Sequence, residues 1–433
     1  MIRRLVTAAG IYVSVVLGFL GTVVAARTLS KDVFGLFALV LVATNFFQTF
    51  FDLTVEEALV KYGYRFSTRE DWGRFRRLFE AGLVFKAIGA GIGGIALLVL
   101  APLARPVFGD SRLTAPLLVA AALPLLGSVE GLGGAALFVH GRYDIRSAFL
   151  TVQMGLRLAG IAVGAQFGLL GAVTGVVVAQ LLETAALGAV ALAGFRRFPR
   201  AAAVPLGDAR REIASFVVQS SAATGVLSLR GALAPLLLGV VATPTQVGLF
   251  RVAQAPQQGF NALSAPARMI LLTEQTRDWE RGRQSVVLGG VRRYSLLAGA
   301  LMLVALPPIL WFMPDLIRLV YGAKYLGASD AARVLAGAAG LVFVVGWTKS
   351  FPVTIGRPNL RVWTHGLEAA LVLPLVVALG SLYGATGAAV AILVGTAAFA
   401  AAWFWIFARV QPEDAPPPPA AGVVSEEIEA ATL

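Results

Sequence analysis

The chain has 433 residues, of which 58% are hydrophobic and 14% are charged, and its net charge is +12. Soluble domains carry about 25% charged residues, so this composition excludes an ordinary soluble protein. The sequence has no cysteine, which excludes disulfides, thiol catalysis and cysteine-based metal sites.

Uncharged apolar runs recur along the whole chain, for example at 10–26 and 87–104. Runs of about 18–20 residues are long enough to cross a bilayer as helices. We therefore predict an all-α polytopic membrane protein with about twelve transmembrane helices. The predicted spans are 5–27, 34–60, 78–104, 113–139, 147–167, 169–194, 213–241, 247–272, 290–313, 330–352, 362–382 and 384–408.

The connections between these spans alternate between basic and nearly neutral segments. If the N-terminus is cytoplasmic, 25 of the 36 Lys and Arg residues lie on the cytoplasmic side and 7 on the outer side. The positive-inside rule then predicts that both termini are cytoplasmic. The net positive charge is therefore explained by membrane topology, and it does not indicate a nucleic-acid partner. Residues 411–433 are proline-rich and then acidic, which predicts a disordered cytoplasmic tail.

Short motifs recur between the two halves of the chain. The FGLF motif at 34–37 matches VGLF at 247–250 with an offset of 213 residues. The same offset relates RPVFG at 105–109 to RLVYG at 318–322, and Gly171-Ala172 to Gly384-Ala385. GRYDIR at 141–146 matches GRPNLR at 356–361 with an offset of 215. The glycine of each FGLF-type elbow is expected to allow a tight turn into the next span.

The repeat predicts two parallel six-helix units, related by a pseudo-twofold axis along the membrane normal. The predicted organisation is an N-terminal bundle at 1–195, a basic cytoplasmic linker at 196–212, a C-terminal bundle at 213–410 and the tail at 411–433. Duplicated bundles of this kind move by rocking about a site that lies between them.

Two predicted spans carry a stripe of polar residues on one face of the helix. In span 2 these residues fall within about 60° of one another around the helix axis. The stripe of span 2 is Asn45, Gln48, Thr49, Asp52 and Glu56, and that of span 8 is Arg251, Gln254, Gln258 and Asn261. Such stripes are consistent with interhelical hydrogen bonds, worth about 0.6 kcal/mol each. Their repetition in both halves favours a shared central cavity.

Charged residues inside spans are costly, at about 2.5–3.5 kcal/mol for an arginine at the centre of a span. Arg157 and Arg230 therefore need a carboxylate, a cavity or a ligand, and an unpaired arginine suits a phosphate. Lys86 is expected to snorkel to the cytoplasmic surface. The acidic candidates within spans are Asp52, Glu130, Glu183 and Glu368.

His365 and Glu368 share one helical face, either as a proton-coupling pair or as a local hydrogen bond. The sequence has no metal-ligand cluster, phosphate-binding glycine loop or nucleophile elbow. We therefore predict no cofactor and no enzymatic activity.

The chain resembles the polysaccharide flippases of the multidrug/oligosaccharidyl-lipid/polysaccharide exporter superfamily. The resemblance rests on the FGLF elbow at 34–37, the segment DLTVEEALVKYGYR at 52–65 and the QVGLF elbow at 246–250. The turns GLLGA at 168–172 and LYGATGA at 382–388 agree with it. Members of this family often carry an aspartate where this chain has Ala234-Pro235. An ion-coupling mechanism inferred from those relatives is therefore in doubt for this chain.

The resemblance implies export of a polyprenyl-diphosphate-linked oligosaccharide across the bacterial inner membrane, for cell-surface polysaccharide such as lipopolysaccharide. Expected partners are this lipid-linked sugar, the bilayer and other polysaccharide-assembly membrane proteins. The candidate contacts to the diphosphate or to acidic sugars are Arg157, Arg230 and Arg251. The other candidate substrate-binding residues are Asn45, Gln48, Gln254, Gln258 and Asn261. The candidate coupling or gating carboxylates are Asp52, Glu56, Glu183 and Glu368.

Two alternative functions stay open. A drug/cation antiporter of the same superfamily would bind its cation at a carboxylate cluster. A membrane-embedded glycan polymerase or ligase would need a sizeable outer loop, and the longest outer connection here, 314–329, is short.

Overall fold

The computed structural model describes residues 2–51, 55–196, 198–260, 275, 278–279, 281–357 and 359–411. These residues form helices joined by short connections. The helices are α1 (Ile2–Thr28), α2 (Lys31–Phe51), α3 (Val55–Thr68), α4 (Trp72–Leu100), α5 (Ala104–Phe108), α6 (Thr114–Ala120), α7 (Ala122–Val139), α8 (Tyr143–Gly164), α9 (Gly168–Phe195), α10 (Ala209–Ser228), α11 (Ala234–Val241), α12 (Pro244–Ala253), α13 (Gln284–Trp311), α14 (Met313–Val320), α15 (Ser329–Val344), α16 (Phe351–Thr354) and α17 (Asn359–Ala408).

Eight helical stretches of the described chain are long and apolar enough to cross a membrane. Two of them, Asp144–Phe195 and Asn359–Ala408, have 52 and 50 residues. Each of these folds back on itself at a glycine with positive φ, Gly168 in the first and Gly384 in the second. The eight stretches therefore make ten passes, which confirms an all-α polytopic membrane protein.

The two remaining predicted spans correspond to interrupted helices. Span 7 corresponds to three consecutive elements: α10, a π-helical segment at Leu229–Leu233, and α11. Span 8 begins with α12. Asp52, Asn261 and residues 412–433 of the predicted tail lie outside the described residues, and so does the side chain of Arg230.

Two glycine pairs of the repeat have positive φ in both halves. Gly109 and Gly322 have φ values of 73° and 98°, and Gly141 and Gly356 have φ values of 70° and 68°. Residues with a Cβ rarely adopt this left-handed region. The conserved offset between these motifs thus reflects turns that need glycine at equivalent positions.

The elbow glycines have a different role from the one expected. Gly35 and Gly248 lie inside α2 and α12, and these two helices pack against each other. A Cβ on Gly248 would lie 3.2 Å from the Cα of Gly35, and a Cβ on Gly35 would collide with the carbonyl of Pro244. The prediction of a turn glycine is wrong, because these glycines allow a close helix crossing between the two halves of the chain.

The molecule has two ends that differ in their connections. We call the end formed by 28–31, 101–113, 242–244 and 312–328 the elbow face, and the end formed by 66–72, 140–143, 196–209 and 345–358 the basic face. The largest apolar cluster combines both halves around the elbows, with Phe34 beside Phe250. Two smaller clusters lie towards the basic face, one around Phe75 and one around Trp347. The halves thus share one core at the elbow face and have largely separate cores at the basic face.

One contact between the halves lies at the basic face, where α3 meets the start of α10. Arg65 Nη1 lies 2.8 Å from Glu212 Oε2, and the Tyr62 hydroxyl donates to Glu212 Oε1 at 3.2 Å. The hydrogen bond from Arg65 holds the pKa of Glu212 below its ordinary value. At this face α3 and α10 are therefore in contact.

Candidate functional site

A cavity of about 580 Å³ opens between the N-terminal helices and α12. Its walls come from α1, α2 and α8 on one side and from Arg251 and Gln258 on the other. Apolar side chains, including Phe19, Phe34 and Phe37, form most of its lining. The cavity is therefore an apolar chamber that receives a few polar groups from facing helices.

Two arginines from different halves of the chain line this cavity. Arg157 comes from the middle of α8 and Arg251 from α12, and the two side chains repel each other electrostatically. Neither forms an ion pair with a carboxylate of the described residues. Arg251 Nη1 donates a hydrogen bond to an amide oxygen, Gln254 Oε1, at 3.3 Å. The cavity is cationic, and its unpaired guanidinium groups are suited to an anionic ligand.

The stripe of span 2 lies elsewhere. Asn45 is exposed and is not among the residues that line the cationic cavity. Gln48 borders a separate pocket of about 20 Å³ beside Lys86, Gly127 and Ser128. Of the two predicted stripes, the structure therefore brings Arg251 and Gln258 to the cavity, and it directs Gln48 to the N-terminal helices.

The expectation that Lys86 snorkels is wrong. Its side chain is 5% exposed, and its Nζ lies 2.9 Å from Glu56 Oε1. Glu56 lies in the first turn of α3. The carboxylate of Glu56 lies against Gly131, where a Cβ would collide with it. Glu56 therefore forms an ion pair with a buried ammonium group.

A polar network occupies the interior of α7, α8 and α9. Arg146 Nη2 lies 3.1 Å from Glu130 Oε1, and both side chains are mostly buried. Gln153 and Gln180 donate to the other oxygen of Glu130 at 2.7 and 3.0 Å. Sequence reasoning placed Arg146 in a cytoplasmic connection and missed this ion pair. The sequence signal that indicates this polar network is the recurrence of Gln and Glu in three consecutive apolar spans.

Glu183 belongs to the same network but has no cationic partner among the described residues. It is fully buried, and its Oε2 accepts a hydrogen bond from Gln180 at 3.3 Å. Its Oε1 has no hydrogen-bond partner, and neither does the Nη1 of Arg146. A buried ionised carboxylate without a partner is costly, so this position favours a neutral acid or a bound cation.

The fourth candidate carboxylate lies in the C-terminal half. Glu368 is 1% exposed, and its Oε2 lies 3.1 Å from His365 Nδ1. Both residues border a cavity of about 90 Å³ that also contacts Lys349 and Gln257. This pocket is separate from the cationic cavity. Among the described residues, no group of three or more His, Asp or Glu is placed to hold a metal ion.

The fold and the cavity define a polytopic helical membrane protein with a cationic chamber between its two halves. A family model described as polysaccharide biosynthesis protein matches residues 4–269, more than half of the chain. The chain belongs to this polysaccharide biosynthesis protein family.

Known relatives and structures agree with this membership. The chain is 28% identical over 341 residues to inner membrane protein YghQ of Escherichia coli K12, covering 73% of this chain and 91% of that protein. Its fold is similar to lipid II flippase MurJ in an inward closed conformation, with TM-score 0.73, 10% identity and coverage of 93% and 87%. It is also similar to an inward-facing multidrug resistance transporter of the MATE family, with TM-score 0.72, 13% identity and coverage of 91% and 94%.

Proposed function

We propose that the protein is a flippase that moves a polyprenyl-diphosphate-linked oligosaccharide across the bacterial inner membrane by alternating access, for cell-surface polysaccharide biosynthesis. The observation that supports this most is the pair Arg157 and Arg251, which line an apolar cavity and have no carboxylate partner among the residues that the structure describes. The family membership and the flippase fold of MurJ point in the same direction.

In this proposal the two guanidinium groups bind the diphosphate with charge-assisted hydrogen bonds. The apolar walls accept the first part of the lipid, and Gln258 contacts the first sugar. A cavity of about 580 Å³ is within the size range of small-ligand sites, so most of the glycan lies outside it. Arg230, Asn45, Gln48, Gln254 and Asn261 stay further candidates for contact with the glycan.

The direction of transport follows from charge. We propose that the basic face is cytoplasmic and the elbow face is external, with both termini in the cytoplasm. The bundles at 1–195 and 213–410, joined by the linker at 196–212, would then rock about the cavity. The shared core at the elbow face supports a form that is closed to the outside.

Among the candidate coupling carboxylates, Glu183 is favoured. Glu56 has Lys86 as a partner and Glu368 has His365, whereas one oxygen of Glu183 is buried without a hydrogen bond. We propose that Glu183 takes up a proton during the cycle. In proteoliposomes, Glu183→Gln should bind substrate normally but lose the response of transport to an imposed pH gradient. Transport that still follows the gradient would refute this role, and Glu80→Gln, at an exposed carboxylate that pairs with Arg76, is the matched comparison.

The decisive experiment replaces the two cavity arginines. Each hydrogen-bonded charge contributes about 1.5–3 kcal/mol, so Arg157→Gln or Arg251→Gln should lower affinity roughly 10- to 150-fold. In cells the variants should accumulate intact lipid-linked repeat units on the cytoplasmic side. Arg105→Gln, an exposed change at the elbow face, is the control and should export normally. Normal export by the double variant at equal expression would contradict the proposal, and Arg230→Glu tests the third arginine.

A drug/cation antiporter is the second candidate, because the MATE transporter shares the fold. The unpaired arginines disfavour it, since they repel a cationic drug. Drug efflux by purified protein without lipid-linked sugar transport would establish it. A glycan polymerase or ligase is a weaker candidate, because the outer connection at 314–329 is short for such an enzyme. Loss of an enzyme of this kind would leave repeat units exposed outside the membrane instead of inside, which separates the two functions.

A further inference from the structure

Two helix ends at the elbow face are capped by cations from the opposite half of the chain. Arg27, at the end of α1, donates through Nε to the carbonyl of Val320 at 2.8 Å and through Nη2 to the carbonyl of Leu319. These are the last carbonyls of α14. In return, Lys324 Nζ donates to the carbonyls of Arg27 and Leu29 at 3.1 and 2.6 Å, at the end of α1.

The reciprocal arrangement has a clear physical basis. The last carbonyls of a helix have no partner within the helix and carry partial negative charge. A cation placed there satisfies them and stabilises the contact, and each such contact shifts an equilibrium roughly 2- to 5-fold. The Tyr325 hydroxyl adds a third bond, donated to the carbonyl of Ala26 at 3.0 Å.

The same segment packs against the wall of the cationic cavity. Tyr321 packs edge-on against Phe19, and Tyr325 packs edge-on against Phe34, with ring centroids 6.2 and 5.6 Å apart. Phe19 and Phe34 line the cavity, and both tyrosines are buried. Gly322, with φ of 98°, provides the turn that places both tyrosines on the same side. Residues 319–325 thus connect the helix caps to the wall of the cavity.

We propose that residues 319–325 form a lid over the elbow-face end of the cavity, and that Arg27 and Lys324 hold this lid shut by capping each other's helices. Opening of the cavity toward the elbow face requires both caps to break. The release of substrate to the outside through this opening rests on the proposed function. The closure by the two caps does not depend on that function.

The absence of cysteine allows a direct test, because introduced cysteines are the sole labelling sites. Spin labels are placed at Leu103→Cys and Leu326→Cys, two exposed positions of the elbow face on opposite halves. Distances between them are measured by pulsed electron resonance in nanodiscs without substrate. Arg27→Gln or Lys324→Gln should each raise the ratio of open to closed forms roughly 2- to 5-fold, and the double variant roughly 4- to 25-fold.

Two further variants make the result specific. Arg105→Gln removes a charge from the same face and should leave the distances unchanged, whereas Lys324→Arg keeps the cap and should stay near the parent. Tyr325→Phe removes one hydroxyl without changing charge and should open the lid less than either charge variant. An unchanged distribution in the folded double variant, or an equal shift with Arg105→Gln, would overturn the lid. Because no substrate is present, failure of the flippase proposal would leave this result intact.

Discussion

The close crossing of α2 and α12 makes Gly35→Ala an unusually damaging small substitution. The added methyl group would collide with the carbonyl of Pro244 and lie 3.2 Å from the Cα of the same residue. These are backbone atoms, so no side-chain rotation relieves the overlap. Normal carbon contacts are about 3.5–4.0 Å, so the helices must separate by roughly 1–2 Å. Overpacking costs about 1–3 kcal/mol, and we expect the upper end of this range.

The measurement is the thermal unfolding midpoint of purified protein in one detergent, followed by intrinsic fluorescence. Gly91→Ala is the control, because a Cβ at Gly91 in α4 meets nothing within 4 Å. Alanine in a helix interior is favoured over glycine by about 0.5–1 kcal/mol, so the control should be as stable as the parent or more stable. Equal midpoints for Gly35→Ala and Gly91→Ala would refute the tight crossing.

Two other predictions concern charges. Glu56→Gln should destabilise the protein by about 1–3 kcal/mol because it removes a carboxylate that lies 2.9 Å from the buried Lys86 ammonium. Lys86→Met should cost less, within about 1 kcal/mol, because Glu56 is 42% exposed and stays solvated. Denaturation of both variants and of the double variant checks this order. The contact of Arg65 with Glu212 should stabilise the protein above the ordinary pKa of 4.5 and lose that effect as pH falls through the lowered pKa of Glu212. Stability should therefore depend less on acid pH in Arg65→Gln than in the parent, and equal acid dependence would contradict the assigned contact.

The sequence predicted the helical spans and the duplicated motifs well, because apolar length and glycine-dependent turns are local properties. Gly109 and Gly322 illustrate this, since each needs its own backbone conformation wherever it lies in the fold. The helical membrane architecture and the family followed from such local signals.

The side-chain partners were harder to predict. A helical wheel shows that Asn45 and Gln48 share a face, but it does not show which helix that face meets. Glu56, which the sequence assigned to the same stripe, forms an ion pair with Lys86 of another helix. Arg146 is buried because it forms an ion pair with Glu130, which lies on another helix. Such a tertiary contact is not visible in the local sequence. Arg157, Arg251 and Gln258 were predicted together and do line one cavity, although their roles stay proposals.

The core shared at the elbow face has a consequence for biosynthesis. Phe34 and Leu36 enter the membrane early, yet their apolar partners near Phe250 are made more than two hundred residues later. The first half must therefore wait in the bilayer with this helix face covered by lipid or by an insertion factor. In assembly the two halves behave like the subunits of an obligate heterodimer that happen to share one chain. Severed in the linker and expressed together, they should find each other through α2 and α12.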